Sequence, residues 1–275
     1  MPELPEVETV RRGLSSHLEG HRFVRVLQRR ADLRLPFPDR FAARLEGRRV
    51  EGTGRRGKYL LIHLDDGNSL IVHLGMSGRL VIGDRRMPPK AHDHAVFETD
   101  NGCVITYNDH RRFGLMILCP TGALGEHPLL RSLGPEPLAS GFDGAVLAAR
   151  LKGKRTPIKA ALLDQKVVAG LGNIYASESL FRAGLSPRRR AYTVQGARAR
   201  RLAQAIRAVL EDAIAAGGSS LRDYVQVDGE LGYFQHRFAV YGREGEPCPG
   251  CDCQAGIRHL VQTNRSTYYC PKRQR

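Results

Sequence analysis

The sequence is short of acids, long apolar runs and evenly spread cysteines, and each shortage excludes something. No apolar stretch approaches the ~18 residues of a membrane span, so no helical membrane anchor is read. The chain opens with acids and prolines rather than a basic segment followed by an apolar one, which gives no secretory signal. There is no internal repeat and no low-complexity tract. Cysteines number six, and four of them fall in the last 28 residues. That clustering speaks against a disulfide-stapled secreted domain and for a local metal site in a reducing cytoplasm. Acids are outnumbered: 28 Asp and Glu face 43 Lys and Arg, a formal net charge of +15. Such an excess predicts a polyanionic partner, nucleic acid ahead of a membrane surface.

What is present is enough for a folded core. The 275 residues are 41% hydrophobic, which excludes a disordered chain and suits one large or two ordinary domains. Val7, Val10, Leu14 and Leu18 form one apolar stripe at helical spacing. Pro5, Glu6 and Glu8 suit the start of that helix, and Arg11, Arg12 and Gly20 its later part and end. From residue 22 to about 118 the texture is β: Lys58–Leu64, Ser69–Leu74, Ala95–Glu98 and Val104–Tyr107 are separated by Asp-Gly and Asn-Gly turn signals, predicting antiparallel meanders packed as a sandwich. Leu133–Gly141, with two prolines and two glycines, reads as an interdomain linker. Helices are predicted at Ala145–Lys152, Pro157–Asp164, Ile174–Ala183 and Val194–Ala216, the last stopped by Gly217-Gly218. The Gly-, aromatic- and Cys-rich tail suggests a β-hairpin around a metal. The fold class expected is α+β, with a catalytic β-sandwich domain (1–133), a helical domain (134–225), and a lid segment and finger-like hairpin (226–275).

Chemistry is concentrated at the ends. A small residue at position 2 favours removal of Met1, leaving Pro2 as a secondary amine. Near neutral pH roughly a tenth of an α-amino group is unprotonated, against under a thousandth of a lysine amine. Only the neutral amine attacks carbon, and a secondary amine goes on to a charged imine with a sugar. Glu3 beside it is a candidate acid; read by composition alone, the same residues stiffen a terminus and cap a helix.

The longer string decides between these readings. Pro2-Glu3-Leu4-Pro5-Glu6-Val7-Glu8-Thr9-Val10-Arg11-Arg12-Gly13-Leu14 resembles the opening of the bacterial formamidopyrimidine-DNA glycosylase family. The resemblance continues through Arg56-Gly57-Lys58-Tyr59-Leu60, His73-Leu74-Gly75-Met76-Ser77-Gly78, His92-Asp93-His94 and Asp109-His110-Arg111-Arg112-Phe113-Gly114. It extends to Gly134-Pro135-Glu136-Pro137-Leu138 and Gly170-Leu171-Gly172-Asn173-Ile174-Tyr175-Ala176-Ser177-Glu178, in family order along the whole chain.

The resemblance implies a repair enzyme that excises 8-oxoguanine and ring-opened purines and then cleaves the strand. In that scheme Pro2 attacks the sugar C1′, Glu3 acts as acid at the ring oxygen, and Lys58 contacts phosphate during β-elimination. His92, Arg111 and Lys154 fall on DNA-contacting positions. Met76, Arg111 and Phe113 match the residues that fill the gap left by an extruded nucleotide: a flexible apolar chain, a planar cation and an aromatic wedge. Gly75, Gly78 and Gly114 beside them read as exposed loop tips. Gly170-Leu171-Gly172-Asn173 resembles the helix-two turns-helix motif, with Asn173 able to cap the following helix and also face DNA. Ser219–Phe234 matches a lid over the extruded base. Taken singly, His92 is equally a turn residue, Met76 and Phe113 equally core, and Lys152–Arg155 equally a solvated basic loop. The pairs Arg29-Arg30, Arg48-Arg49 and Arg85-Arg86 and the triplet Arg188–Arg190 read as partly solvated and are assigned no contact. Cys103 and Cys119 read as buried core thiols.

The tail departs from the family. Cys248-Pro249-Gly250-Cys251-Asp252-Cys253 is followed, after 16 residues, by Cys270. The family's zinc finger of two C-x-x-C knuckles then leads to a fourth cysteine where this chain has Arg273. Arginine keeps its proton and cannot ligate zinc, whereas a structural zinc takes four closed ligands. Three outcomes are open: Cys253 or His259 supplies the fourth ligand, zinc binds with water, or the hairpin folds without metal. Arg265 matches the hairpin arginine that the family sets against phosphates and connects with δ-elimination.

The expectation is therefore a monomeric, cytoplasmic DNA glycosylase and AP lyase acting on damaged duplex DNA, with one Zn2+. The rivals are a same-fold endonuclease VIII-like enzyme for oxidised pyrimidines, which has Gly where this chain has Leu4, and a non-catalytic damaged-DNA-binding protein.

Overall fold

A computed structural model describes residues 1–83, 88, 90–220 and 225–275. Arg85-Arg86 and part of the Ser219–Phe234 stretch lie outside the described residues. The chain divides into two compact units, one of residues 1–131 with 216–235, the other of 132–215 with 236–275.

The first unit opens with α1 (Leu4–Leu18), whose buried face is Leu4, Val7, Val10, Leu14 and Leu18. That is the predicted stripe extended by one turn. The chain leaves the helix at Gly20, whose φ of 85° is the left-handed conformation that favours glycine. The strands are β1 (Phe23–Gln28), β2 (Val50–Arg56), β3 (Tyr59–Leu64), β4 (Asn68–His73), β5 (Arg79–Gly83), β6 (Asp93–Thr99), β7 (Val104–Asn108) and β8 (Leu115–Pro120), with a short α2 (Phe41–Leu45) after β1. They form two four-stranded sheets, ordered β1-β6-β7-β5 and β2-β3-β4-β8, and every strand pairing within them is antiparallel. One hydrophobic cluster takes residues from both sheets and from α1, with Leu14, Phe41, Val50 and Tyr107 fully enclosed. Val227 joins the same cluster, and its carbonyl accepts the Ile82 N–H at 2.6 Å. These contacts tie part of the glycine-rich 216–235 segment to the first unit. Cys119 is buried as expected, while Cys103 is only half-buried.

The second unit holds α3 (Gly144–Leu151), α4 (Ile158–Leu163), α5 (Asn173–Arg182), α6 (Gly196–Ala215) and a hairpin of β9 (Arg258–Gln262) and β10 (Arg265–Tyr269). Asp143 caps α3 by accepting from the N–H groups of Ala145 and Val146. α6 begins two residues later than its apolar spacing predicts, because Ala191–Thr193 forms a separate 3-10 turn. The proline-rich segment after Leu133 is not a bare tether. The Gly134 N–H donates to the Gln165 carbonyl at 2.7 Å, and the Pro135 carbonyl accepts from Ala169 at 3.1 Å. In the hairpin, Thr263 and Asn264 both take positive φ (51° and 58°) between the paired Gln262 and Arg265. This two-residue turn sets Arg265 at the head of β10.

No helix among the described residues is long and apolar enough to cross a membrane.

Candidate active site and nucleic-acid interface

Pro2 and Glu3 sit at the buried head of α1, with Glu3 only 4% exposed. The Glu3 N–H donates to Glu6 Oε2 at 2.8 Å, and the other oxygen of Glu6 accepts the Ser219 N–H at 2.8 Å. One buried carboxylate therefore fixes the terminus and also the returning 216–235 segment. Sequence reading gave Glu6 only a helix-dipole role. Its i,i+3 spacing from Glu3, the capping-box pattern, was the available signal.

Glu8, one turn on, accepts from Arg11 and Arg12 and lies 3.2 Å from Arg55. Burial pushes its carboxyl up, but those hydrogen bonds and the charges of Arg11 and Arg55 outweigh it and hold it down at about 2.

Lys58 follows Gly57 (φ 57°) in the β2–β3 turn and is 6% exposed. Burial first, then the charges of Lys58 and Arg34, push His73 down to about 4. The neutral ring accepts the Gly75 N–H on Nδ1 at 3.0 Å. His73 thus braces the loop that carries Met76, next to a site rich in positive potential.

Met76, Arg111 and Phe113 lie on two loops that meet at a fully buried carboxylate, Asp109. Its oxygens accept from the Ser77 hydroxyl (2.6 Å), the Tyr107 hydroxyl (3.1 Å) and the Gly114 N–H (2.9 Å). Ser77 Oγ in turn accepts the Arg111 N–H at 3.2 Å, while His94 Nε2 lies 2.8 Å from the Asp109 carbonyl. Burial and the neighbouring Asp109 charge raise the Tyr107 hydroxyl far above its ordinary value, so it stays a donor. At the tips, Phe113 is 45% exposed and the Arg111 guanidinium stacks 4.8 Å over its ring.

The three glycines are not the exposed loop tips expected of them. All are buried. A Cβ on Gly75 would strike the Phe113 carbonyl, and one on Gly78 or Gly114 would strike the Tyr107 hydroxyl. Gly75 is glycine because the two loops touch backbone to backbone there, and Gly78 and Gly114 because the buried Tyr107 hydroxyl leaves no room for a side chain. His92 stands in an exposed turn, its ring 6.2 Å from that of His110.

In the second unit Lys154, Asn173 and Arg265 occupy separate elements. Lys154 is partly exposed and lies 3.4 Å from Asp164. Asn173 does not cap α5: Gly172 holds the N-cap position, and Asn173 is the first helical residue. Its amide is drawn elsewhere, donating to the Ser266 carbonyl at 3.0 Å and the Tyr241 hydroxyl at 3.3 Å. The cause is Lys159, fully buried on α4, whose ammonium donates to Asn173 Oδ1 (2.6 Å), the Ser266 carbonyl (2.6 Å) and Thr267 Oγ1 (2.7 Å). Lys159 thereby joins α5 to β10 immediately beside the exposed Arg265. Sequence reading missed it; the signal was a lysine between the buried Ile158 and Ala161–Leu162. Glu178 was likewise quoted only as part of a motif. It accepts three N–H groups, from Ala239, Val240 and Tyr241, and burial raises its carboxyl.

The thiols of the tail converge. The sulfurs of Cys248, Cys251 and Cys270 all lie within 4.8 Å of one another. Amide N–H groups of Gly250 and Arg273 point at Cys248 and Cys270, each at 3.4 Å. Softness, spacing and these amide donors fit a thiolate-bound zinc. Cys253 falls outside the three-way cluster but reaches Cys270 at 3.5 Å. His259 is not part of the cluster; it stacks on Tyr268 with its Nδ1 3.5 Å from Glu244, and its buried Nε2 has no hydrogen-bond partner.

Comparison with known proteins agrees with this geometry. Residues 1–116 match the family described as formamidopyrimidine-DNA glycosylase N-terminal domain, and residues 133–225 the formamidopyrimidine-DNA glycosylase H2TH domain. A formamidopyrimidine-DNA glycosylase of Rhodospirillum centenum is 64% identical, with all of both chains covered. The formamidopyrimidine-DNA glycosylase of Rhodospirillum rubrum is 58% identical over the same full span. Among solved structures, the MutM (Fpg) protein of Thermus thermophilus superposes with TM-score 0.87 at 43% identity, covering 99% of this chain and 98% of that one. Wild-type Lactococcus lactis Fpg, in complex with DNA containing N7-benzyl-Fapy-dG, gives 0.90 at 33% identity, covering 100% of both chains.

Proposed function

Because the chain belongs to the formamidopyrimidine-DNA glycosylase family, we infer that it is a base-excision repair glycosylase and AP lyase acting on oxidised purines in damaged double-stranded DNA. The observation that carries this is the buried Pro2-Glu3 head of α1, in a chain related over its full length to enzymes of that name.

In the proposed reaction the Pro2 nitrogen, unprotonated after loss of Met1, attacks C1′ of the damaged nucleotide. The base departs with the electrons of the glycosidic bond and takes up the proton that the attacking amine loses; the nitrogen lone pair then opens the ring as Glu3 delivers a proton to the sugar ring oxygen. The resulting iminium draws electrons from C2′; loss of a C2′ proton expels the 3′ phosphate, and a second elimination expels the 5′ phosphate. Lys58 serves the first elimination as a phosphate contact, and Arg265 the second.

Met76, Arg111 and Phe113 fill the space of the extruded nucleotide, with the Arg111–Phe113 stack presenting a cation and a ring together. His92, Lys154 and Asn173 bind backbone phosphates. Zinc is held by the thiols of Cys248, Cys251 and Cys270, where it would fix the hairpin behind Arg265 and take no part in bond breaking. We place the protein in the bacterial cytoplasm, at the nucleoid, as a monomer.

Borohydride trapping on duplexes bearing 8-oxoguanine or thymine glycol tests the reading. Efficient covalent capture and excision with 8-oxoguanine is the expected result. Preference for thymine glycol would place the chain with the pyrimidine-directed branch despite Leu4. Tight binding to lesion DNA with no capture would make it a non-catalytic binder.

A further inference from the structure

The finger lacks a ligand at Arg273, and the surrounding geometry shows how the loss is met. Arg273 does not point its charge at the sulfurs. Its guanidinium lies 5.0 Å over the ring of Phe181 on α5, and Nη1 donates to the Gly250 carbonyl at 2.9 Å. Only its backbone N–H faces the cluster, at 3.4 Å from the Cys270 sulfur.

Another thiol, that of Cys253, lies beside the three-way cluster. Cys253 Sγ is 3.5 Å from Cys270 Sγ, nearly the same as the 3.6 Å between Cys251 and Cys270. Zinc–sulfur bonds of about 2.3 Å in a tetrahedron put sulfurs about 3.8 Å apart; these two pairs are already near that spacing, while Cys253, outside the group of thiols within 4.8 Å of one another, must close on the rest of the cluster by about 1 Å or more. Cys251 and Cys253 flank Asp252 on a stretch outside helix and strand, so closing Cys253 onto the cluster breaks no helix or sheet hydrogen bond. His259, stacked on Tyr268 with Nδ1 3.5 Å from Glu244, keeps a buried Nε2 without a hydrogen-bond partner but lies outside the thiol cluster, whereas Cys253 already touches Cys270.

We propose that this chain carries a rearranged zinc knuckle whose four ligands are Cys248, Cys251, Cys253 and Cys270. Cys253 replaces the thiol missing at residue 273, and Arg273 becomes a strut that packs the C-terminal turn on Phe181. Three ligands then come from one six-residue loop and one from the end of β10, instead of two from each side. Each thiol releases its proton to solvent as the metal binds, so the site weakens in acid. This rests on reading the cluster as a zinc site, and metal analysis separates the two claims.

The test is zinc stoichiometry and X-ray absorption on the full chain, with Cys253→Ser, His259→Ala and the double variant Cys253→Ser/Arg273→Cys. The expected wild-type result is one zinc per chain surrounded by four sulfurs. Cys253→Ser should leave three sulfurs and one lighter atom, and surrender zinc to a chelator more than roughly 100-fold more readily, beyond the cost of losing an outer-shell partner. The double variant should restore four sulfurs, and His259→Ala should change nothing. Wild-type zinc with three sulfurs, unaffected by Cys253→Ser, would overturn the Cys253 assignment while keeping the zinc reading. A metal-free wild type that still excises 8-oxoguanine, or one with a Cys253–Cys270 disulfide seen as a mass loss of two hydrogen atoms, would overturn both. Should Cys253→Ser fail to fold, the wild-type sulfur count decides alone, because Cys103 and Cys119 belong to the other unit.

Discussion

The wedge loops of the first unit and the hairpin of the second are each held by one fully buried ion, but the ions have opposite sign. Asp109 gathers donors: two hydroxyls and the Gly114 N–H. Lys159 gathers acceptors: an amide oxygen, a hydroxyl and a carbonyl. Reach separates them as well. Two Asp109 partners, Tyr107 and Gly114, are 2 and 5 residues away in sequence and the third, Ser77, is 32, whereas Lys159 meets Asn173 at 14 residues but Ser266 and Thr267 at 107 and 108. A local network leaves a legible string, Asp109 to Gly114. A distant one leaves a lone lysine on an apolar face.

Removing Asp109 should break this comparison most severely. Asp109→Ala strands three buried donors at about 1–3 kcal/mol each, so a loss of at least about 3 kcal/mol is expected in chemical denaturation. Excision should fall with it, since the loops bearing Met76, Arg111 and Phe113 lose their common anchor. Asp109→Asn, which keeps one acceptor oxygen, should lose less.

Lys159→Met is the counterpart and should cost less, about 2 kcal/mol, because the Ser266 carbonyl keeps its bond from the Asn173 amide and the Thr267 hydroxyl keeps Gln262, leaving the Asn173 oxygen as the group stranded. Its diagnostic effect is weaker DNA binding through a loosened Arg265. Equal losses for Asp109→Ala and Lys159→Met would erase the distinction drawn between the two networks.

Acid should distinguish two further groups in the first unit. Folded His73 titrates near 4 and its ordinary value is 6.5, so the unfolded chain takes the proton first and stability falls as pH drops through that window. Folded Glu8 titrates near 2 against an ordinary 4.5; its stabilisation is present above 4.5 and lost as pH falls towards 2. His73→Gln should flatten the upper part of the acid limb and Glu8→Gln the lower part, measured as denaturation midpoints across pH.

The smallest effect is expected at Lys154. If it neutralises one phosphate, Lys154→Ala lowers the salt slope of DNA binding by about one unit and weakens lesion and undamaged duplexes nearly alike. Its pairing with Asp164 at 3.4 Å must be given up on binding, which keeps the change in affinity modest.

The same contrast explains how much could be read in advance. α1, the hairpin turns of the sheets and α6 were legible because their apolar spacing and glycine punctuation are local. Pro2, Glu3 and Lys58 were legible because their strings lie intact in sequence. Glu6, Glu178 and Lys159 were seen as motif or helix residues, but their partners come from segments that pack against them only in the fold. Asn173 was expected to cap its helix because Asn commonly does, yet the buried ammonium of Lys159 claims its oxygen. The loop-tip glycines were expected exposed, since nothing in the string reveals that the two loops press together.

The central claim is that the chemistry starts at the nitrogen of residue 2, and peptide mapping of the borohydride-trapped complex tests it most directly. After nuclease and protease digestion, the modified residue should be an N-terminal Pro2 lacking Met1 and carrying the reduced sugar remnant. An adduct on Lys58 or another lysine, or active enzyme that retains Met1, would contradict the account.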